Sequence, residues 1–191
     1  LVKAGHAVTG YNRSPDKARA WAEKTGGAFA PTVAEAAAGA ELLILCVGDD
    51  DDVRQVVGEA LPHLAPGAVL RGSLDLAHYP RLTPRIRSYS DRYENRGLLY
   101  GEDLDDITVT GGGVIDCRGS GFLGGYKERP KGIYIVGCRG VTFRDVTLRN
   151  APSWMQHYLA CDRLTLHDLT VETRRKIQNN DGVDIDSCHD V

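Results

Sequence analysis

The run Asn179-Asn180-Asp181-Gly182-Val183-Asp184-Ile185-Asp186-Ser187-Cys188 gathers three carboxylates, two amides and a thiol around one glycine. Carboxylates at this density can move protons, hold a hard cation or cap a turn. A calcium loop is not expected, because the D-x-[DN]-x-[DN]-G register and its closing Glu are absent. Upstream, "NAPSWMQH" carries Trp154 and His157. An indole can stack on a sugar ring or simply pack beside a turn; His157 is a weaker candidate for the same ligand. Near the start, Asn12-Arg13-Ser14 closes a strand and opens a helix. A guanidinium can pair bidentately with phosphate, and Ser at a helix start adds a hydroxyl and an amide. The same three residues can also be a plain turn and cap. The five cysteines include no CxxC pair and no His at zinc spacing, so no metal is expected.

Composition narrows the classes. At 42% apolar and 26% charged, the 191 residues suit a globular chain, not a disordered one. A net charge of -3, with mixed signs, gives no reason to expect nucleic acid or a membrane surface as partner. The longest apolar run, Leu42 to Val47, is too short to span a bilayer. No secretory leader is expected from the opening residues as written, and residue 1 is Leu inside patterned sequence. The expectation is an incomplete N-terminus and, as written, a cytoplasmic location.

Two grammars position these residues. Over residues 1–70 strands and helices alternate, which implies a parallel sheet. A strand covers His6–Tyr11. Ser14-Pro15 opens a helix that stops at Gly26-Gly27. Thr32 to Glu35 has capping-box spacing. Glu41–Val47 reads as a strand buried on both faces, and Asp49–Asp52 cap a third helix. From residue 71 helix signals vanish, and Val/Ile/Thr/Leu strands alternate with Gly, Asn and Asp. Ile107–Thr110, Val141–Leu148 and Leu164–Val171 repeat one pattern, with Val191 at the next start. Leu104, Cys138, Cys161 and Cys188 each lie three residues before a start, at intervals of 34, 23 and 27 residues. Strands and turns at such a period fit a parallel β-helix, its cysteines forming an interior ladder.

The segments "KAGH", "NRS", "AEAA" and "PGAVL" in residues 1–70 resemble, in order, the NADP-binding domain of the 3-hydroxyisobutyrate dehydrogenase family. The resemblance implies that Asn12, Arg13 and Ser14 would place the 2′-phosphate of NADP. The first strand and Gly-rich turn, and the catalytic Ser and Lys, are absent, so NADP binding by this chain is not expected. The segments "GAVLRGSLDLAHYP", "LLYGEDLDDITVTGGGVIDCRG", "LRNAPSWMQHYLACDRLTLHDLTV" and "NNDGVDIDSCHDV" in residues 66–191 resemble the polygalacturonase-like glycoside hydrolases of family 28. That resemblance implies a right-handed parallel β-helix and inverting hydrolysis of pectic poly- or oligosaccharide with no cofactor. Asp181 would be a catalytic carboxylate on the water-activating side, in an Asn-x-Asp motif where Asn180 replaces Thr. Asn179, Trp154 and His157 would contact substrate. Asp184 and Asp186 read as structural, Asp184 alternating against Asp181 in a strand. The family's Asp-Asp, Gly-His-Gly and Arg-x-Lys motifs would fall beyond residue 191, so the chain as given is expected to be inactive.

The expected fold is therefore mixed. An incomplete Rossmann-like α/β unit lacking its first strand (1–66) precedes an incomplete right-handed parallel β-helix (67–191). The two resemblances share Pro66–Leu70, with no linker, as in a chimera of two fragments. The parent hydrolase would be exported. Two rival readings remain at this stage: an NADP-dependent β-hydroxyacid dehydrogenase fragment, and a β-helix that binds polysaccharide without cleaving it.

Overall fold

The computed structural model of the chain describes residues 1–44, 50–63, 65, 67–89, 95–122, 125–173 and 178–191. Outside the described residues lie Cys46 with the end of the Glu41–Val47 run, Asp49, and Pro66 of the shared "PGAVL"; so do the side chains of Asp50, Asp51 and Asp52. The chain divides into two units, Leu1–Ala68 and Val69–Val191.

In the first unit β1 (Thr9–Gly10) and β2 (Ala28–Phe29) pair in parallel. They are joined by α1 (Pro15–Thr25), which starts with Pro and ends at Gly26 in a left-handed conformation, φ 77°. Thr32 accepts the Glu35 N–H at 3.1 Å and starts α2 (Val33–Ala37). β3 (Leu42–Leu43) and α3 (Asp50–Ala60) follow. The core here is small: Val33, Ala37 and Ala60, with Tyr11, Leu43 and Val56 against them. Two expectations need correction. The strand expected over residues 6–11 is only two residues long. The Glu41 run does not begin as a strand buried on both faces, since Leu42 is 42% and Ile44 58% exposed. The physical reason is that β3 does not join the β1–β2 pair, so it gains no sheet interior within this unit.

The second unit is built from three parallel sheets that the chain visits in rotation. The first circuit is β4 (Val69–Arg71), β5 (Gly97–Glu102) and β6 (Thr108–Val109). The second is β7 (Val114–Asp116), β8 (Lys131–Val136) and β9 (Arg139–Arg144). The third is β10 (Thr147–Arg149), β11 (Gln156–Leu159) and β12 (Asp162–His167). The fourth is β13 (Thr170–Glu172), then β14 (Asp184–Asp186) and a bridge from His189 to Asp162. Each strand pairs in parallel with its counterpart one circuit away, for example Tyr100, Tyr134, His157 and Asp184 in one row. Ile115, Ile133, Ile135, Phe143, Leu148, Tyr158 and Leu164 fill the interior between the sheets. Each such side chain contributes about 1.5–3 kcal/mol relative to exposure.

The turns explain the period. From second to third sheet every circuit carries two left-handed residues three apart, and the first of each pair makes the bend: Asp103 (φ 51°), Gly137 (61°), Ala160 (53°) and Ser187 (56°), followed by Asp106, Gly140, Arg163 and Asp190. The residue just after the bend is Leu104, Cys138, Cys161 or Cys188. Cys138 and Cys161 are buried and Cys188 is half-buried; all three are free thiols. The Leu104 N–H meets Cys138 Sγ, and the Cys161 N–H meets Cys188 Sγ, each at 3.4 Å. Leu104, however, is 49% exposed, so the interior ladder is one of thiols and not of all four residues.

Candidate active site

The site lies on the outer face of the second sheet. Strand alternation breaks at the start of β8 and β11. Both Gly132 and Ile133 face the interior: a Cβ on Gly132 would stand 3.0 Å from Cys117 Sγ and 2.6 Å from the Met155 carbonyl. Met155 and Gln156 repeat this one circuit on, Gln156 accepting the Tyr158 hydroxyl at 2.9 Å. With two successive residues turned inward, positions three apart share the outer face. This corrects the expected alternation of Asp184 against Asp181. The Met155 N–H bonds the Asp181 carbonyl at 2.8 Å, and Gln156 Nε2 bonds the Gly182 carbonyl at 3.0 Å. Asp181 therefore stands beside Trp154 in register, as Asp184 stands beside His157.

Two neighbouring rows result, Lys131–Trp154–Asp181 and Tyr134–His157–Asp184. The His157 ring stacks on Tyr134 (centroids 5.1 Å apart, planes at 12°) and meets the Trp154 ring edge-on at 5.0 Å. Lys131 is fully buried, with Nζ 4.0 Å from the Tyr134 centroid and 5.1 Å from that of Trp154. A desolvated ammonium is stabilised over aromatic faces by about 2 kcal/mol. Trp154, His157, Asp184, Ile185, Asp186 and Ser187 line a cleft of about 250 Å³.

The sequence-expected residues distribute unequally. Trp154 and His157 line the cleft, but His157 is only 1% exposed and presents little surface to a ligand. Asp181 is exposed and sits next to Trp154 outside the cleft lining. Asn179 is half-buried and left-handed, φ 56°, a conformation Asn tolerates better than most residues. Asp184 and Asp186, read as structural, both line the cleft. Asp186 accepts Ser88 Oγ at 2.6 Å and Ser187 Oγ at 2.9 Å. The Ser88 hydrogen bond foremost holds its carboxyl below the usual range; burial opposes this, and Ser187 and His157 assist. In the first unit, Asn12, Arg13 and Ser14 are all exposed. The Ser14 side chain makes no cap bond, contrary to its expected role; the Lys17 N–H bonds the Ser14 carbonyl at 3.0 Å instead, and Asn12 Oδ1 accepts the Ser14 N–H at 2.9 Å in a local turn.

Sequence reasoning passed over Lys131, Arg129 and Ser88. Arg129, 8% exposed, donates from Nη2 to the Gln178 carbonyl at 2.8 Å. The available signal was the pairing of two cations with Pro130 immediately before an apolar strand, where Lys and Arg are rarely buried unless partnered. Among the described residues no group of three or more His, Cys, Asp or Glu side chains is arranged to hold a metal ion. Among them, too, no helix is long and apolar enough to cross a membrane.

Two family models match the chain. Residues 1–77 match the NAD binding domain of 6-phosphogluconate dehydrogenase, and residues 82–191 match the glycosyl hydrolases family 28. The second match covers more than half of the chain, which belongs to glycosyl hydrolase family 28 and carries a dinucleotide-binding-type segment before it. It is a two-part chain. The relatives divide the same way. An uncharacterized oxidoreductase of Shewanella frigidimarina is 54% identical over 57 residues, 30% of this chain and 20% of its own length. A probable polygalacturonase of Vitis vinifera is 30% identical over 135 residues, 63% of this chain and 27% of its own. A polygalacturonase of Chamaecyparis obtusa is 29% identical over 107 residues, covering 49% and 21%. The chain thus spans about a fifth to a quarter of the length of these relatives. The crystal structure of a putative glycosyl hydrolase from Parabacteroides merdae shares the fold, with a TM-score of 0.51 at 19% identity over 63% of this chain and 54% of that one.

Proposed function

We propose that residues 67–191 carry part of the site of an inverting pectic glycoside hydrolase, on a right-handed parallel β-helix. Asp181 is the carboxylate that activates water, and Asn179, Trp154 and His157 contact the sugar. The observation that carries this reading is the register of Asp181 beside Trp154, next to Asp184 and His157. A carboxylate is thereby held at the edge of an aromatic-lined cleft, as proton abstraction from water beside a pyranose requires. Inversion needs a second carboxyl group across the sugar, about 6.5–9.5 Å away, to protonate the leaving oxygen.

The match of residues 1–77 to a dinucleotide-binding domain supports a second reading, for the N-terminal part only. Its parent bound a dinucleotide, and Arg13 suits the 2′-phosphate of NADP, since a reader of NAD would carry an acidic residue there. One NMR experiment on the chain addresses both readings. Trigalacturonate should shift the Trp154 and Asp184 signals, and NADP should leave Asn12 to Ser14 unmoved. Trigalacturonate shifts elsewhere, or none, would remove the first reading. NADP shifts confined to Asn12–Ser14 would show that the first unit still binds dinucleotide.

A further inference from the structure

Arg129 and Lys131 are buried cations flanking Pro130 at the start of β8, and neither belongs to the proposed chemistry. Each reaches one wall of the site. Arg129 crosses 49 positions of sequence to bond the Gln178 carbonyl, three residues before Asp181. Lys131 lies against the rings of Tyr134 and Trp154. A buried cation is unfavourable unless its donors or charge are matched, so two of them in three residues mark a constructed feature.

We propose that Arg129-Pro130-Lys131 is a positioning brace for the site, a role that rests on the hydrolase reading of Asp181. Arg129 fixes the turn at Gln178-Asn179, whose second residue is held left-handed. The segment is then pinned at both ends, by Arg129 at Gln178 and by the Met155 N–H at Asp181. Lys131 fixes the indole beside which Asp181 stands. The proline between them restricts φ and offers no N–H, so the two cations are presented with little backbone freedom. Carboxylate and sugar platform are thus aligned from one short segment at the start of β8, one circuit from Trp154 and two from Asp181. Neither cation touches a reacting atom.

The test uses the 191-residue chain and two readouts, amide exchange and trigalacturonate affinity. Arg129→Gln should raise exchange at the Met155 amide, which bonds the Asp181 carbonyl, about tenfold or more, while Val141 and Leu164 keep their protection. Arg129→Lys should restore most of it. Lys131→Met should shift the Trp154 indole signal and weaken trigalacturonate binding about tenfold, with Lys131→Arg closer to wild type. Exchange rising uniformly across the unit, or no local change in either variant, would overturn the brace. If wild type does not bind trigalacturonate, the hydrolase reading fails, while local exchange still decides whether the brace exists. Should Arg129→Gln not fold, the wild-type guanidinium decides. Restricted rotation with separate Nη signals supports the brace, and a freely rotating group overturns it.

Discussion

At the scale of single residues, the hydrogen bond from Ser88 to Asp186 sets how one carboxylate of the cleft responds to pH. The Ser88 hydroxyl donates to Asp186 Oδ2 at 2.6 Å across 98 positions of sequence. Asp186 has a depressed folded-state pKa, so its stabilising contribution is present above the unfolded value and lost as pH falls through the lower, folded one. Ser88→Ala should therefore lower stability at neutral pH by about 1 kcal/mol, the net worth of such a bond. The difference from wild type should vanish at a pH below the folded Asp186 value. Chemical denaturation at neutral and strongly acidic pH checks this; an undiminished difference in acid would detach Ser88 from the ionised carboxylate. Of this pair, the sequence revealed only that Asp186 is acidic. Ser88 sits in unpatterned sequence and meets Asp186 only through the winding of the chain. Trp154, by contrast, was legible from its own motif.

At the scale of elements, the repeat was readable because inward positions on successive circuits must match in size and polarity. Cys138, Cys161 and Cys188 fell at the same place after each turn, and the structure lines them up. The turns were less readable. Gly137 announces itself, but Ala160 takes the same left-handed conformation against a steric penalty of roughly 1–2 kcal/mol, which the parallel ladders on either side override. Outer positions three apart were misread for a related reason: the pairs Gly132-Ile133 and Met155-Gln156 break alternation, and period-two reasoning carried across them put Asp184 on the wrong face. Burial pushes the thiols of Cys117 and Cys161 up to about 12, and raises that of Cys138. Thiolate is the reactive form. A thiol reagent applied at pH 8 to the native chain should therefore leave Cys117, Cys138 and Cys161 intact and label half-buried Cys188 ahead of them. Peptide mass mapping before and after denaturation reads this; rapid labelling of Cys161 in the native state would mean that the circuits open there.

At the scale of the whole molecule, two kinds of fold logic meet within a few residues. The first unit pairs two short parallel strands around a small core, whereas the second winds through three parallel sheets around a continuous one. The family matches end at residue 77 and start at residue 82, past the change of grammar read from the sequence at residues 66 and 67. The sequence showed the division because helix capping signals stop where strand repeats begin. It could not show how much of the expected α/β sheet forms, because that depends on strands finding neighbours and not on their own propensity. The proposed chemistry accordingly belongs to the second unit, with Asp181 activating water.

The most direct measurement extends the chain through the downstream family motifs and follows trigalacturonate cleavage by proton NMR, with and without Asp181→Asn. With Asp181 activating water, the first product anomer from the α-linkage is β, and the variant loses about 10²- to 10⁴-fold in rate at unchanged fold. An α anomer released first, or an Asp181→Asn enzyme as fast as wild type, would contradict that role.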